Sequence, residues 1–175
     1  MNAFNVINKS VLLVLPAEDF NETEFLSVKS VLISGGLKIF IASDAYSLCT
    51  GTSGLKVKAD VSLYNVNVNN FSAIAIIGGG GIKKYWNNTL LHSIVIKFYK
   101  AGKITSAICS AAAILAKAGL LNGVKAVCYP ENRNELEREG AEFIDTAVVE
   151  SNKIITGRDP QAATEFAGRI VSLLL

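Results

Sequence analysis

The stretch "ITSAICSAAAIL", residues 104–115, joins a β-branched apolar run directly to an alanine-rich run, with Cys109 between the two. The first run is typical of a buried strand and the second of a helix. A strand that enters a helix without loop residues holds its hinge residue in a strained conformation and exposes that side chain above the sheet. The stretch therefore predicts a nucleophile elbow at Cys109. A packed core cysteine is an equally good interpretation of these residues alone.

Similar apolar runs lie on the N-terminal side of this stretch, and each is continuous, as expected for strands covered on both faces. They span residues 11–15, 37–42 and 73–77. Helical patterns closed by glycine span residues 22–34, 89–100 and 110–118, and a last apolar stripe at helical spacing spans 161–174. The alternation predicts an α/β fold with a doubly wound parallel sheet sandwiched by helices.

Residues 46–68 interrupt this alternation with glycine turns and short alternating segments, which predict hairpin strands at one edge of the sheet. "TAVVESNKIITG", residues 146–157, predicts two further short strands around a turn at Ser151 and Asn152. We expect one domain over residues 1–175, because that length is too short for two ordinary domains. Residues 1–10 are expected to form a flexible N-terminal extension.

Composition excludes several classes of function. The net charge is only +2 and no basic run is present, so nucleic acid is not an expected partner. The longest early apolar run, "VLLVLP", is far below the roughly 20 residues that cross a bilayer, so no membrane partner or anchor is expected. Three cysteines at unrelated spacings predict neither disulfides nor a metal site, which favours the cytoplasm.

Four segments with chemical potential follow predicted strands and should meet where the strands end, which is where open α/β sheets bind ligands. At Cys109 the adjoining helix N-terminus would lower the thiol pKa from about 8.5. The "GGGG" run at 78–81 matches no nucleotide-binding pattern, and no cofactor is expected. The backbone N–H groups of Gly79 and Ser110 could instead form an oxyanion hole. His92, the only histidine, is predicted mid-helix and away from this edge.

The segments "IIGGGG", "AICSAAAILAKAGLLNGVKA" and "GRDP" together resemble the ThiJ/PfpI superfamily, whose fold is of the class I glutamine amidotransferase type. The resemblance spans residues 11–174. It implies a flavodoxin-like fold, a reactive cysteine at Cys109, a small-molecule substrate or oxidant, and a homodimer or larger homo-oligomer. Members of the superfamily are described as glyoxalases, deglycases, proteases, chaperones and oxidation sensors.

The chain departs from the superfamily pattern at three places. Proteolytic members carry histidine where this chain has Ser110, and deglycase-like members carry histidine where it has Tyr129, so protease activity is not expected. Members also carry a glutamate whose protonated carboxyl group hydrogen-bonds the cysteine sulfur. An ungapped register places Asn21 there, which can donate a hydrogen bond but cannot transfer a proton. A shift by one residue brings in Glu22, which could equally be a first-turn acid of a helix.

The remaining candidates carry alternatives as well. Tyr129 is a candidate substrate or dimer contact. Arg158 matches an arginine expected near the dimer contact and the site, or forms a structural salt bridge. Cys128 is a resolving thiol or, more in keeping with its strand, a core residue, and Cys49 is expected to be exposed and oxidisable.

Two functions follow from these residues. The first is a Cys109-dependent enzyme that acts on small reactive carbonyl compounds, in the manner of a glyoxalase or deglycase, or as a hydrolase in stress response. The second is a non-enzymatic sensor of oxidative stress, or a chaperone-like protein, that uses the same cysteine.

Overall fold

The computed structural model describes residues 9–44 and 48–175. Its strands, in chain order, are β1 (Ser10–Val14), β2 (Glu18–Phe20), β3 (Lys38–Ser43), β4 (Leu48–Gly51), β5 (Lys56–Lys58), β6 (Val61–Ser62), β7 (Ala73–Ile76), β8 (Ile104–Ile108), β9 (Lys125–Ala126), β10 (Glu142–Phe143), β11 (Val148–Ser151) and β12 (Ile154–Gly157). Its α-helices are α1 (Glu22–Ser34), α2 (Thr89–Lys100), α3 (Ala112–Lys117), α4 (Arg133–Arg138) and α5 (Ala163–Leu174).

Seven of these strands form the main sheet, in the order β11-β12-β8-β7-β1-β3-β6. All neighbours in it are parallel except β11, which runs antiparallel to β12 at one edge. β1 lies near the centre, between β3 and β7, and the chain crosses over on both sides of it. The carboxyl ends of β1, β7, β8 and β12 therefore meet along one edge of the sheet.

Helices cover both faces of the main sheet. α2, α3 and α4 contribute to the core cluster on one face, and α1 and α5, which pack against each other, contribute to the cluster on the other. Successive residues of β1 alternate between the two clusters: Leu12 and Val14 join the first, Val11 and Leu13 the second. Burial of both faces explains why the central strands have continuous apolar sequences. The predicted doubly wound α/β fold is confirmed.

The hairpin in residues 46–68 differs from the prediction. β4 and β5 pair with each other and β4 pairs with β2, so they form a separate three-stranded sheet, while β6 alone extends the main sheet beside β3. The physical reason is that β2 follows β1 after a short turn and offers β4 an edge outside the main sheet. Residues 45–47 lie outside the described residues.

The N-terminal boundary is also earlier than expected. Ser10 is already the first residue of β1 and pairs with Lys38, so residue 10 is not part of a flexible segment. Residues 1–8 lie outside the described residues. Within the described chain, no helix is both long enough and apolar enough to cross a membrane.

Candidate active site

Cys109 lies at a sharp turn between β8 and the helical segment that follows it. Its φ angle is +61°, in the left-handed region, and a short 3-10 turn at Cys109–Ala111 leads directly into α3. A non-glycine residue held there costs on the order of 1–3 kcal/mol, which the surrounding structure must offset. Ala111 and Ala112 are fully buried and small enough for the helix to start against the sheet. The backbone thus adopts the elbow predicted from residues 104–115.

A buried carboxyl group from α1 lies against this elbow. Glu24 is fully buried, and its Oε2 accepts a hydrogen bond from the Gly78 backbone N–H at 2.8 Å. The Cys109 thiol interacts with the same carboxyl group. Its Oε1 is buried and has no hydrogen-bonding partner of normal geometry among the described residues. A Cβ atom on Gly78 would lie 2.8 Å from both Cys109 Cβ and Glu24 Oε2. Glycine at this position therefore permits the cysteine and the glutamate to approach each other.

Burial changes the acidity of both groups. It raises the pKa of Glu24 from its ordinary 4.5 to about 7, against the opposing effects of the Cys109 and Gly78 hydrogen bonds. It also raises the pKa of Cys109, and the Glu24 charge raises it further, while the backbone N–H and hydroxyl of Ser110 lower it. Because ionised Glu24 opposes the thiolate, the pair retains one proton over a wide pH range.

The carboxyl group beside Cys109 is thus Glu24, and the two sequence candidates lie elsewhere. Asn21 is the N-cap of α1, where its Oδ1 accepts the Glu24 backbone N–H at 3.0 Å. Glu22 Oε1 accepts the backbone N–H groups of Ser53 at 2.8 Å and Leu55 at 3.0 Å, so this carboxylate is bound by the β4–β5 hairpin.

The ungapped register missed Glu24 by three residues. A usable signal was present in the helical pattern of α1, because Glu24 shares its buried face with Phe25, Val28 and Leu32. A carboxylate is almost never fully buried without a specific partner, so an acid on an apolar stripe indicates a functional or paired group.

Cys109 lines a cavity of about 360 Å³, near the lower end of the range for small-molecule sites. Five of the predicted residues line it: Asn21, Gly79, Cys109, Ser110 and Tyr129. Four further residues were not predicted: Gly80, Lys83, Pro160 and Gln161. All nine lie after the ends of strands β2, β7, β8, β9 or β12, in the turns that follow them. A search of the whole segments "GGGGIK" and "RDPQ" after β7 and β12 could therefore have found the missing four.

The glycine run brings its backbone against the loop that carries Asn21. Gly79 has a φ angle of +122°, and a Cβ atom there would lie 2.6 Å from Asn21 N and 2.8 Å from Phe20 Cα. The Asn21 backbone N–H also donates to Gly78 O at 2.9 Å. Only glycine fits this approach, which fixes the start of α1, and therefore Glu24, relative to the elbow.

Ser110 is held in place by two polar contacts. Its hydroxyl donates to Asn132 Oδ1 at 2.7 Å, and its backbone carbonyl accepts the Trp86 indole N–H at 2.8 Å. Its Oγ lies 4.0 Å from Cys109 Sγ. Since Trp86 belongs to the segment after the glycine run, this segment is connected directly to the elbow.

The remaining candidates fall outside the cavity lining. Arg158 forms ion pairs with Asp159, at 2.8 Å, and Asp145, at 3.3 Å, as the salt-bridge alternative expects. His92 lies on α2, and its Nε2 is 2.7 Å from the Trp86 carbonyl oxygen. Among residues 9–44 and 48–175, no group of His, Cys, Asp and Glu side chains is arranged to hold a metal ion.

The other two cysteines are core residues. The expectation that Cys49 is exposed was wrong: it is 1% exposed, because its strand β4 packs into the cluster that also contains Cys109. Cys128 is fully buried in the cluster on the opposite face of the sheet, which supports the core interpretation. Burial raises the pKa of Cys128 to about 12 and also raises that of Cys49.

Comparison with known proteins identifies the family of this chain. The profile of the DJ-1/PfpI family matches residues 9–173. The chain is 38% identical to the uncharacterized protein MJ0967 of Methanocaldococcus jannaschii, covering 97% of this chain and 84% of that protein. It is 30% identical to the glutathione-independent glyoxalase DJR-1.2 of Caenorhabditis elegans, over 95% of this chain and 89% of that one. Deglycase PH1704 of Pyrococcus horikoshii is also 30% identical, over 93% and 98%.

Solved structures show the same fold. Drosophila melanogaster DJ-1beta superposes with a TM-score of 0.88 at 28% identity, covering 96% of this chain and 91% of that one. A ThiJ/PfpI domain protein from Brachyspira murdochii superposes with a TM-score of 0.92 at 24% identity, over 94% and 95%. The flavodoxin-like α/β fold expected from the resemblance is confirmed, and the chain belongs to the DJ-1/PfpI family.

Proposed function

We propose that this chain is a cysteine-dependent enzyme acting on small reactive carbonyl compounds, in the manner of a glyoxalase or deglycase. The observation that carries the proposal is the buried Glu24 carboxyl group, with a pKa of about 7, against the Cys109 thiol at the edge of a small cavity. A general acid or base works best when its pKa lies near the working pH. The C. elegans relative is named as a glyoxalase and the P. horikoshii relative as a deglycase, which supports the same class of substrate.

The pair can perform the conversion of a 2-oxoaldehyde without any other redox partner. The sulfur of Cys109 bonds to the aldehyde carbon, and the resulting oxyanion takes up a proton, with the N–H groups of Gly79 and Ser110 as its hydrogen-bond donors. Glu24 then removes the hydrogen of the former aldehyde carbon as a proton and returns it to the neighbouring carbon, while the hydroxyl proton of the first oxygen moves to the oxygen of that neighbouring carbon. The former aldehyde carbon is oxidised to a thioester and the ketone carbon is reduced to an alcohol.

Water completes the reaction. It cleaves the carbon–sulfur bond of the thioester, which releases a 2-hydroxycarboxylate and restores the Cys109 thiol, so the net change is addition of one water molecule. A deglycase reaction would use the same first step, attack by the sulfur on a carbonyl-derived carbon. Both routes need a group that gives and takes a proton beside the sulfur, and Glu24 fits that need.

The test compares three variants for consumption of methylglyoxal and formation of lactate. Cys109→Ser should abolish turnover, and Glu24→Gln should reduce kcat by at least about 100-fold, the usual contribution of a general acid or base. Glu22→Gln is the matched control and should retain activity. Glu22 lies only two residues before Glu24 in the sequence, but its carboxylate is bound by the β4–β5 hairpin. Turnover by Cys109→Ser equal to that of the wild type would refute the proposal.

The sensor alternative receives less support from the site. Uncatalysed oxidation depends on the thiolate already present, and burial raises the pKa of the Cys109 thiol. An enzyme can pass the thiol proton to Glu24 during attack on a bound substrate, so it does not need a standing thiolate. Selective oxidation of Cys109 by mild peroxide, followed by peptide mass spectrometry, would restore the sensor interpretation.

Location and assembly are part of the same proposal. We place the enzyme in the cytoplasm, because Cys49, Cys109 and Cys128 are all free thiols. We also propose a homodimer or larger homo-oligomer. Leu26 and Ile33 leave about half of their surface exposed on the outer side of α1, at 51% and 53%, and these two apolar side chains are candidate subunit contacts. Sedimentation of the purified protein would measure the oligomeric state.

A further inference from the structure

The cavity beside Cys109 carries one permanently charged side chain. Of the residues that line it, Lys83 alone is a cation, and the others are glycines, neutral polar residues, a proline and the cysteine itself. Small-molecule sites set their specificity with a few charged or polar groups in a restricted space. A single lysine in this cavity favours a substrate with a negative charge.

Lys83 is available for such a charge. Among the described residues no carboxylate lies within 4 Å of its ammonium group, whereas the adjacent Lys84 pairs with Glu18 at 3.7 Å. The Lys83 Nζ instead lies over the Trp86 ring, 5.9 Å from its centroid. A cation over an aromatic face keeps its charge and most of its hydrogen-bonding capacity.

The backbone that carries Lys83 is anchored to the elbow. Lys83 belongs to the 3-10 segment Gly81–Tyr85, in which Ile82 and Tyr85 are buried. The next residue, Trp86, donates its indole N–H to the carbonyl of Ser110, directly after Cys109. The backbone of Lys83 is therefore held at a fixed place relative to the reacting sulfur, and its exposed side chain extends from there.

In the described part of the chain, no carboxyl group lines the cavity beside Lys83. Glu24 is fully buried and is not part of the lining. Asp159 is paired with Arg158 at 2.8 Å, and both Asp159 and Asp19 lie outside the lining. Lys83 is therefore the one cation, without a carboxylate beside it, that an incoming ligand meets on the described cavity lining.

We propose that Lys83 selects carbonyl substrates that carry a carboxylate, so that the preferred substrates are 2-oxoaldehydes with an anionic group remote from the reacting aldehyde. The inference rests on the proposed carbonyl chemistry and names its substrate class. The carboxylate takes no part in bond making. It pairs with the Lys83 ammonium and orients the aldehyde carbon toward Cys109.

The experiment compares three substrates: methylglyoxal, 4,5-dioxopentanoate, which adds a carboxylate at the end of a two-carbon chain, and its uncharged methyl ester. In the wild type, kcat/KM should be highest for the carboxylate. In Lys83→Gln, the ratio of kcat/KM for the carboxylate to that for the ester should fall by about tenfold or more, as for loss of a hydrogen bond to a charged group. Lys84→Gln is the control and should leave this ratio unchanged. A ratio that Lys83→Gln leaves unchanged would overturn the proposal.

A second measurement separates this inference from the carbonyl chemistry. Glutarate, an unreactive dicarboxylate, is titrated into the Cys109→Ser variant with and without Lys83→Gln, and its dissociation constant is measured by NMR. Binding that weakens about tenfold without Lys83 supports the anion site even if no substrate is turned over. Absent binding, or binding indifferent to Lys83, overturns it even if methylglyoxal is consumed.

Discussion

The buried carboxyl group of Glu24 should make the folded protein less stable as the pH rises, and Glu24→Gln should remove this dependence. In the unfolded chain a glutamate ionises near its ordinary pKa of 4.5, whereas burial raises the pKa of Glu24 in the folded protein to about 7. Between these two values the folded protein holds a proton that the unfolded chain has lost. The contribution of Glu24 is therefore most favourable below 4.5 and is lost progressively as the pH rises through about 7.

The size of this effect follows from the two pKa values. Each pKa unit corresponds to about 1.36 kcal/mol, so a rise from 4.5 to about 7 corresponds to a loss of about 3 kcal/mol of unfolding free energy on going from acid to about pH 8. No discount for solvent is needed, because Glu24 is fully buried. A loss of this size is a large fraction of the stability of an ordinary domain.

Glu24→Gln removes the titration and nearly preserves the shape of the side chain. Urea unfolding of both proteins, followed by circular dichroism at about pH 4.5 and about pH 8, measures the difference in unfolding free energy. As the pH rises, the unfolding free energy of the variant should increase by about 3 kcal/mol relative to that of the wild type. The contributions of all other titrating groups are the same in both proteins and cancel in the difference. If the unfolding free energies of the two proteins change in parallel across this pH range, ionisation of Glu24 does not destabilise the folded protein and the reasoning is refuted.

Two further predictions concern the elbow and its cysteine. Iodoacetamide should label Cys109 before Cys49 in the native protein, because Cys109 lines the cavity and is 6% exposed while Cys49 is 1% exposed; equal rates in peptide mass spectrometry would contradict this. Gly78→Ala should lower both thermal stability and turnover, since its Cβ atom would lie 2.8 Å from both members of the catalytic pair. The control Gly168→Ala, in α5 and with nothing within 4 Å, should be neutral or stabilise by about 0.5–1 kcal/mol.

Sequence reasoning predicted the fold well because its signals are local and strong. The apolar runs within β1 and β7 identify strands buried on both faces, and every residue of β1, β7 and β8 is buried, including Thr105 and Ser106 of β8. The elbow could be predicted from an equally local signal, because the strand pattern and the alanine-rich helix pattern adjoin at Cys109 and leave no residues for a loop. The hairpin was placed on the wrong sheet, since strand pairing depends on which free edge is nearby, and that depends on the whole fold.

The carboxyl partner of Cys109 was harder to predict than the cysteine. Asn21, Glu22 and Glu24 lie within four residues, and a register drawn without gaps cannot decide among them. The decision is made in three dimensions: Asn21 caps α1, which turns Glu24 onto the buried face and leaves Glu22 toward the hairpin. A helix phase fixed from the cap would have identified Glu24, because the buried positions follow from it.

The absence of histidine from the cavity lining concentrates the proton chemistry on Glu24. Tyr129 lies where the resemblance predicts a histidine. The ionisable side chains of the lining are Tyr129, Lys83 and Cys109. Glu24, with its pKa of about 7, is left as the group that titrates near neutrality beside the sulfur. Below that pH the pair holds two protons and neither member can act as base, so kcat/KM should rise with pH to about 7 and then level off.

Measurement of methylglyoxal turnover from about pH 5 to about pH 9 tests this expectation. The profile should show one inflection near 7 in the wild type, and the residual activity of Glu24→Gln should lack it. An inflection that persists in Glu24→Gln would assign the proton transfer to another group, because glutamine cannot titrate. Since Glu24 takes up and returns protons in successive steps beside the sulfur, one buried carboxyl group can serve as both the acid and the base of the reaction.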